Sequence, residues 1–167
     1  ILHKNEILMG DVNPKNILVS SQLEVYFIDT DSYQLDTFLN PVGMPEFTSA
    51  RIYRKGGNFL NVRRTLEDEY FAIACLIFRI LFLGDSPFPS NHFTASDNIK
   101  NHRFRFDDRT GSQSDKNYIW LNLTPKMRKA FYDNFVNEVY TDDATWDKIL
   151  EEMYTHIHQH HLSNNLM

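Results

Sequence analysis

Three side chains near the start of the chain have types and spacing that suit phosphoryl transfer. Asp11 and Asn16 lie in the segment MGDVNPKNILV, and Asp29 follows Asn16 by thirteen positions in VYFIDTDS. A carboxylate such as Asp11 can accept the proton of an attacking hydroxyl, while an amide oxygen and a second carboxylate can hold Mg²⁺ at nucleotide phosphates. The pattern indicates a nucleotide-dependent phosphotransferase that uses Mg²⁺.

A short hairpin is predicted to position these side chains. Residues 16–19 and 24–28 are β-branched or aromatic runs separated by polar residues 20–22, a pattern typical of two small strands. The loop that carries Asp11 leads into the first strand, and Asp29 stands where the second strand ends. We therefore expect the three side chains to gather at one turn-rich edge, where chemistry is usually located.

The longest apolar run, residues 67–83, predicts a central helix that is buried on most sides. Gly84 follows it as a C-terminal stop. The run is short for a bilayer span and contains Arg79, which favours a buried helix over a membrane segment. Cys75, the only cysteine, lies inside the run and is expected to be a small core residue rather than a reactive thiol.

Two more helices are predicted near the C-terminus. Thr124 and Pro125 have the residue types of a helix N-cap and first turn. Apolar residues recur along one face of this helix, at Met127, Phe131, Phe135 and Val139. A last helix over about residues 144–158 is expected to bury Trp146, Ile149, Leu150 and Met153. Residues 34–64 are predicted to be irregular, and a short element is expected near residues 99–106 within a polar stretch.

Composition limits the class of protein. The chain has 167 residues, 42% of them apolar, which suits one compact domain with a core. A net charge of -5 argues against a surface for nucleic acid or anionic membranes. Lys4 and Glu6 interrupt the apolar residues at the start, so no signal peptide is expected, and the absence of an initiating Met suggests that Ile1 is an internal start. Together with the single cysteine, these features predict a cytoplasmic protein.

The order of motifs resembles the C-terminal lobe of a protein kinase. MGDVNPKN is similar to the catalytic loop H-R-D-L-x-x-x-N, and Asp29-Thr30-Asp31 stands where D-F-G would be. VGMPEFTSAR resembles the end of an activation segment, EYFAIACLIFRILFLGDSPF the helix that follows it, and DATWDKIL the closing R-P-T motif. GDVNPKN and IDTDSYQ are similar to a divergent bacterial group of kinase-like proteins.

This resemblance implies a mainly α fold with a small β hairpin, that is, an α+β kinase C-lobe without the N-lobe. It covers residues 1–158 and leaves a polar tail at 159–167. Asp11 and Asn13 would be catalytic, with Asn13 at the position of a Lys that contacts the transferred phosphoryl group. Asn16 and Asp29 would bind ATP and its Mg²⁺. The implied substrate is a protein hydroxyl of the Ser/Thr type, and Glu69 matches an acidic residue that braces the catalytic-loop backbone.

Several residues depart from the family pattern. Gly10 replaces the Arg that pairs with a phosphorylated activation segment, so control by that route is not expected, despite hydroxyls at Ser32, Tyr33, Thr37 and Thr48. Arg51 and Asp143 stand where the family has Glu and Arg, with the two charges exchanged. Because an unpaired buried charge is costly, we predict an ion pair between Arg51 and Asp143 or Asp142.

The N-terminal half of a kinase has no counterpart in this sequence. The six glycines form no G-x-G-x-x-G, and no strand with V-A-I-K precedes Asp11. The resemblance therefore implies that an N-terminal lobe belongs to a longer parent protein. Without that lobe, one side of the nucleotide would face water, so residues 1–167 alone are expected to have little or no activity.

Three alternatives stay open on the sequence alone. Asp11, Asn16 and Asp29 could simply be turn residues with local hydrogen bonds. A small-molecule phosphotransferase of the aminoglycoside or choline kinase type has H-G-D-x-x-x-x-N, which suits Gly10, although VGMPEFTSAR favours a protein substrate. A pseudokinase or interaction module is the third, and it is supported by substitutions at Met9, Asn13, Thr30 and Asp31.

The histidines 156, 158, 160 and 161 could bind metal, but a solvated or frayed terminus is favoured over that site.

Overall fold

The computed structural model describes residues 1–36, 38–89, 93–107 and 115–164. Four short strands occur before the first helix: β1 (Ile7–Leu8), β2 (Ile17–Val19), β3 (Val25–Phe27) and β4 (Gln34–Leu35). The helices are α1 (Ala50–Arg54), α2 (Leu66–Leu81), α3 (Ala95–Lys100), α4 (Asn117–Asn122), α5 (Pro125–Tyr132) and α6 (Asp143–Asn164). The structure is mostly helical with a small hairpin, which is compatible with the expected kinase-like C-lobe.

The hairpin forms where the sequence predicts it. Strands β2 and β3 pair antiparallel, with Ile17 opposite Phe27. The turn between them is held by the hydroxyl of Ser20, which accepts hydrogen bonds from the backbone N–H groups of Gln22 and Glu24. At the open end the N–H of Ile28 donates to the carbonyl of Asn16 at 3.0 Å. This contact fixes the exit of β3, and therefore Asp29, beside the end of the loop that carries Asp11.

Helix α2 lies at the centre of the molecule and matches the predicted helix within two residues at each end. Its start is capped because the carboxylate of Asp68 accepts a hydrogen bond from the backbone N–H of Thr65 at 2.8 Å. At its end, Gly84 has a φ of +94° and donates its N–H to the carbonyl of Arg79 at 2.7 Å. Leu83, with φ 55°, is the first left-handed residue after the helix, and the N–H of Gly84 closes the turn, so the glycine helps to end the helix as predicted.

An aromatic core surrounds α2. Phe78 is fully buried, and its ring stacks on Phe82 with the centroids 4.1 Å apart. Phe131 meets the same ring edge-to-face at 5.2 Å. Cys75 is also fully buried, as predicted, and burial raises the pKa of its thiol well above the ordinary value. The core therefore joins α2 and α5 and supports the loops at the opposite end of α2.

The predicted buried faces of the last two helices are correct except for one residue in each. Thr124 caps α5 by accepting a hydrogen bond from the N–H of Met127, as expected. Val139, however, is 59% exposed, because α5 ends at Tyr132 and a π-helical turn over Asp133–Asn137 changes the register. Leu150 is 38% exposed, so it lies at the margin of the buried face of α6.

The loop predictions need three corrections. Residues 34–64 are not wholly irregular, since they contain β4 and α1. The short element expected near residues 99–106 is helix α3, and it begins earlier, at Ala95. The last helix extends to Asn164, beyond the predicted end near residue 158; the side chains of His160 and His161 lie outside the described part. No helix in the described ranges has both the length and the apolar character needed to cross a bilayer.

Candidate active site

The loop before Asp11 is held by a buried carboxylate of α2. Glu69 is 6% exposed, and its Oε1 and Oε2 accept hydrogen bonds from the N–H groups of Met9 and Gly10 at 3.1 and 3.0 Å. Two hydrogen bonds from consecutive N–H groups fix the direction in which the chain enters residue 11. The bracing role expected for Glu69 is confirmed.

A glycine is needed at position 10 for a steric reason that the sequence alone does not reveal. Its φ is +74°, and a Cβ at this position would lie 1.9 Å from Nδ2 of Asn40. Any larger residue would therefore displace the buried Asn40 side chain. The residue that departs most clearly from the kinase pattern is required here by the packing of the loop against residue 40.

Asp11 is half-buried, and hydrogen bonds orient both of its carboxylate oxygens. Oδ1 accepts the backbone N–H of Met44 at 3.1 Å, and Oδ2 accepts Nδ2 of Asn16 at 3.1 Å. The same amide nitrogen also lies 3.0 Å from the carbonyl of Asp11. Because each carboxylate oxygen can accept more than one hydrogen bond, the oriented Asp11 can still receive one from a hydroxyl.

Asn13 is buried and its amide is used within the loop. Its Nδ2 donates to the carbonyl of Asp11 at 3.0 Å, and its Oδ1 accepts the N–H of Lys15 at 2.9 Å. These bonds cap the 3-10 turn Pro14–Asn16 and so position the amide of Asn16. The expected contact between Asn13 and a phosphoryl group stays a prediction.

Asp29 is exposed at the exit of β3 in a left-handed conformation, with φ 62° and ψ 47°. Asp residues tolerate this region better than most, and such conformations are frequent at functional sites. A hydrogen bond with Asp31 and the charges of Asp31 and Asp11 raise the pKa of Asp29. A divalent cation at Asp29 would relieve this repulsion between carboxylates.

The oxygen atoms of the site suit Mg²⁺, a cation bound in proteins by one or two carboxylates together with water and phosphate oxygens. Asn16 directs its amide nitrogen to Asp11, so its amide oxygen is the atom it can offer to a cation. Asp29 supplies a carboxylate close by. No group of three or more His, Cys, Asp or Glu side chains converges as a metal site in the described residues. The predicted Mg²⁺ site therefore needs phosphate oxygens of the nucleotide as further ligands, and its ligand set stays a prediction.

The predicted ion pair of Arg51 is wrong. Arg51 pairs with Asp68, through Nε at 3.0 Å from Oδ1 and through Nη2 to Oδ2. Burial alone would raise the pKa of Asp68, but hydrogen bonds from Arg51 and Ser49 outweigh it and lower the pKa. The reason for the error is that Asp68, a helix-capping carboxylate already buried beside α1, is nearer to Arg51 than the start of α6 is.

Asp143 instead pairs with His3, a residue that sequence reasoning did not single out. Its Oδ2 lies 2.7 Å from Nδ1 of His3, and Nε2 of the same ring lies 2.9 Å from Oε1 of Glu69. The hydrogen bond with Glu69 raises the pKa of His3 above its ordinary value of 6.5, although burial opposes this. The histidine thus connects the start of α6 to the carboxylate that braces the Asp11 loop. Asp142 caps α6 through the N–H of Thr145.

Comparison with known proteins relates part of the chain to named kinases. No protein-family model matches it. Two relatives, each named Protein kinase YegI, come from Escherichia coli O157:H7 and Escherichia coli strain K12, and both are 32% identical over 91 residues. The matched segment is 52% of this chain and 14% of each relative, so the chain spans a small part of their length. Over that segment the chain has a kinase-like relationship.

Proposed function

We propose that the protein containing this chain transfers a phosphoryl group from ATP to a protein hydroxyl with the help of Mg²⁺. The observation that carries the proposal is the orientation of Asp11, whose two carboxylate oxygens are held by Met44 and Asn16. A carboxylate fixed in this way at the edge of a hairpin, beside Asp29, suits a general base next to a metal site. The kinase-like relationship supports the same chemistry.

Each residue of the site has a distinct role in this proposal. Asp11 accepts the proton of the substrate hydroxyl as that oxygen attacks the γ-phosphorus. Asn16 and Asp29 hold the cation, which neutralises phosphate charge when it is bound. Asn13 contacts the transferred group, or it acts through the two hydrogen bonds that shape the loop.

The segment after Asp29 favours a protein substrate over a small molecule. Met44 contacts Asp11 directly, and Ser49 of the same segment donates to the buried carboxylate of Asp68 at 2.5 Å. The segment is therefore attached both to the candidate base and to the central helix. An ordered segment beside the base offers a surface along which a peptide can lie, as VGMPEFTSAR suggests.

A second part of the parent protein, the expected N-terminal lobe, would cover the hairpin. Both faces of the hairpin expose large apolar side chains, and isolated hairpins are not stable without a packed face. The exposed residues are Leu18, Val19, Leu23, Val25, Tyr26, Phe27 and Ile28. We propose that the covering lobe encloses the nucleotide between itself and this surface.

The proposal is tested by replacing Asp11 and Asp29 in the intact protein and measuring ATP-dependent phosphorylation. Asp11→Asn should lower kcat by about 100-fold or more, the usual contribution of a positioned general base. Asp29→Asn should raise the Mg²⁺ concentration needed for half-maximal rate. Asp147→Asn, the same change at an exposed carboxylate of α6, serves as the control. Wild-type turnover in the Asp11 variant would contradict the proposal.

A second candidate is a nucleotide-binding module without transfer, favoured by the use of both polar atoms of Asn13 within the loop. Mg²⁺-dependent ATP binding without any phosphorylated product would select it. Phosphorylation of a small hydroxyl compound in place of protein would select the small-molecule alternative.

A further inference from the structure

Arg64 is a buried cation that the proposed reaction does not use. It is 6% exposed, and its guanidinium lies over the ring of Phe59 with Cζ 4.9 Å from the centroid. In the described residues no carboxylate lies within 4.0 Å of Arg64, and its Nε is buried without a hydrogen-bond partner. Burial lowers its pKa, although the charges of Asp68, Asp11 and Glu69 act to raise it. Burying a charge without an ion-pair partner costs free energy. Contacts other than an ion pair must therefore explain why an arginine is buried at position 64.

The guanidinium binds the backbone of the segment that contacts Asp11. Nη2 of Arg64 donates to the carbonyl of Val42. The N–H of Val42 donates to Oδ1 of Asn40 at 2.8 Å, and the Asn40 amide is itself fixed by donating to the carbonyl of Ser32. Both polar backbone groups of Val42 are therefore held by buried side chains. We call Asn40, Val42 and Arg64 the Val42 clamp.

Val42, at the centre of the clamp, lies two residues before Met44, whose N–H orients Asp11. Gly43 separates Val42 from Met44, and a Cβ at Gly43 would lie 2.3 Å from Nη2 of Arg64. A larger residue at position 43 would require the guanidinium to shift from this position. Fixing Val42 on both sides leaves the N–H of Met44 little freedom to move away from Oδ1 of Asp11, 3.1 Å distant.

The backbone of Arg64 is also fixed, so its side chain works from a rigid base. Gln34 is 4% exposed, and its Oε1 accepts the N–H of Arg64 at 2.9 Å. Its Nε2 donates to the carbonyl of Arg64 at 3.0 Å. Strand β4, the clamp and the loop of Asp11 thus form one hydrogen-bonded unit.

Two of the four hydroxyl residues noted in the sequence are unsuited to modification. Ser32 is 6% exposed and Thr48 is 1% exposed. Thr37 lies outside the described residues, and Tyr33 is partly buried. Arg64 itself donates to a backbone carbonyl of the segment, not to any of these hydroxyls.

We propose that Asn40 and Arg64 are positioning residues that order residues 40–44 and orient Asp11 without phosphorylation of the segment. The consequence for catalysis rests on the proposed function, whereas the ordering of the segment does not. Arginine suits this role because its planar group donates in a fixed direction and stacks on an aromatic ring, which a lysine ammonium does not do.

The test measures amide hydrogen exchange by mass spectrometry in the intact protein, together with kcat and KM for ATP. Arg64→Met should raise exchange in a peptide covering residues 40–48 by about tenfold or more, because local opening becomes easier. A peptide from residues 70–80 of α2 should be unchanged. kcat should fall, KM for ATP should change little, and Arg64→Lys should restore only part of the protection. Arg63→Met, at the exposed neighbouring arginine, is the matched control.

Two further measurements keep the proposal decidable if Arg64→Met fails to fold. Gly43→Ala retains every charge but displaces the guanidinium, so it should raise exchange in the same peptide. Phosphatase treatment of the wild type should leave that peptide protected. Unchanged exchange in folded Gly43→Ala, or loss of protection after phosphatase, would overturn the proposal. If exchange rises in the variants but the wild-type protein transfers no phosphate, the ordering role of the Val42 clamp stands and the proposed function is wrong.

Discussion

At the scale of single residues, His3 connects parts of the chain that are far apart in sequence. One ring nitrogen lies at Glu69, which braces the Asp11 loop, and the other at Asp143, which begins α6. The ring of Tyr70 also meets it edge-on, with centroids 5.6 Å apart. Of these groups, Glu69 and Asp143 attract a protonated imidazole, so the protonated form is favoured in the folded protein.

This arrangement predicts a pH-dependent contribution to stability. Because the pKa of His3 is raised on folding, its contribution is fully present below the unfolded pKa, about 6.5, and is lost as pH rises through the folded pKa. The loss of unfolding free energy caused by His3→Gln should therefore be largest on the acidic side of this window and shrink toward alkaline pH. Chemical denaturation at a series of pH values measures it.

The control for this prediction is His158→Gln, at an exposed histidine near the end of α6. That variant should track the wild type at every pH. A difference between His3→Gln and wild type that grows with rising pH would contradict the protonated bridge.

Within the candidate site, contacts between residues close in sequence could be predicted more readily than contacts between distant segments. Asp11 and Asn16 lie five positions apart in one loop, and local chemistry sufficed to predict their proximity. The contact between Met44 and Asp11, the histidine bridge and the Arg51 pair with Asp68 each join segments separated by loops of unpredictable path. No periodic pattern encodes such contacts, which is why the charge-exchange argument led to the wrong partner for Arg51.

At the scale of elements, the most predictable part is the one with the strongest hydrophobic pattern. Helix α2 was predicted within two residues because its apolar run, acidic first turn and following glycine all agree. The π-helical turn after α5 was missed. Asn134, buried inside that turn, donates to the carbonyl of Ala130 and to the hydroxyl of Thr141, both at 2.8 Å. Local side-chain hydrogen bonds of this kind are not encoded in a hydrophobic period, and here they accompany the departure from it.

Helix α2 also carries a quantitative prediction, at Phe78. The ring is fully buried among other aromatic rings, so Phe78→Ala leaves a cavity and should lower the unfolding free energy by about 3–5 kcal/mol. Denaturant unfolding measures the change. Ile80→Ala, two residues along the same helix but 67% exposed, should stay within about 0.5 kcal/mol of wild type. Equal losses at the two positions would contradict the assignment of the core.

At the scale of the whole molecule, the distribution of apolar surface is uneven. The rings packed around α2, such as Phe78 and Phe131, are buried, whereas the hairpin exposes apolar residues on both faces. A surface of this kind in a stable protein is normally an interface. It lies beside Asp29 and Asn16, so whatever covers it also encloses the candidate site.

The covering lobe can be tested at Val25, which is 55% exposed on β3. Val25→Lys should lower the melting temperature of the intact protein, since it places a charge in the proposed interface, yet it should hardly change that of residues 1–167 alone. Leu121→Lys, at a residue 62% exposed on α4, should have little effect on either. Calorimetry of the two variants, each made in the intact protein and in residues 1–167, provides the comparison, and an unchanged melting temperature of intact Val25→Lys would argue against a lobe at this face.

Cys75 gives the molecule a built-in chemical reporter. It is the only thiol in the chain, it is fully buried in α2, and burial keeps it protonated. A thiol reagent can reach it only when the packing around the central helix opens, because the thiolate is the reactive form. The rate at which this sulfur is labelled therefore measures how often the core opens. The measurement can be made before the substrate is known.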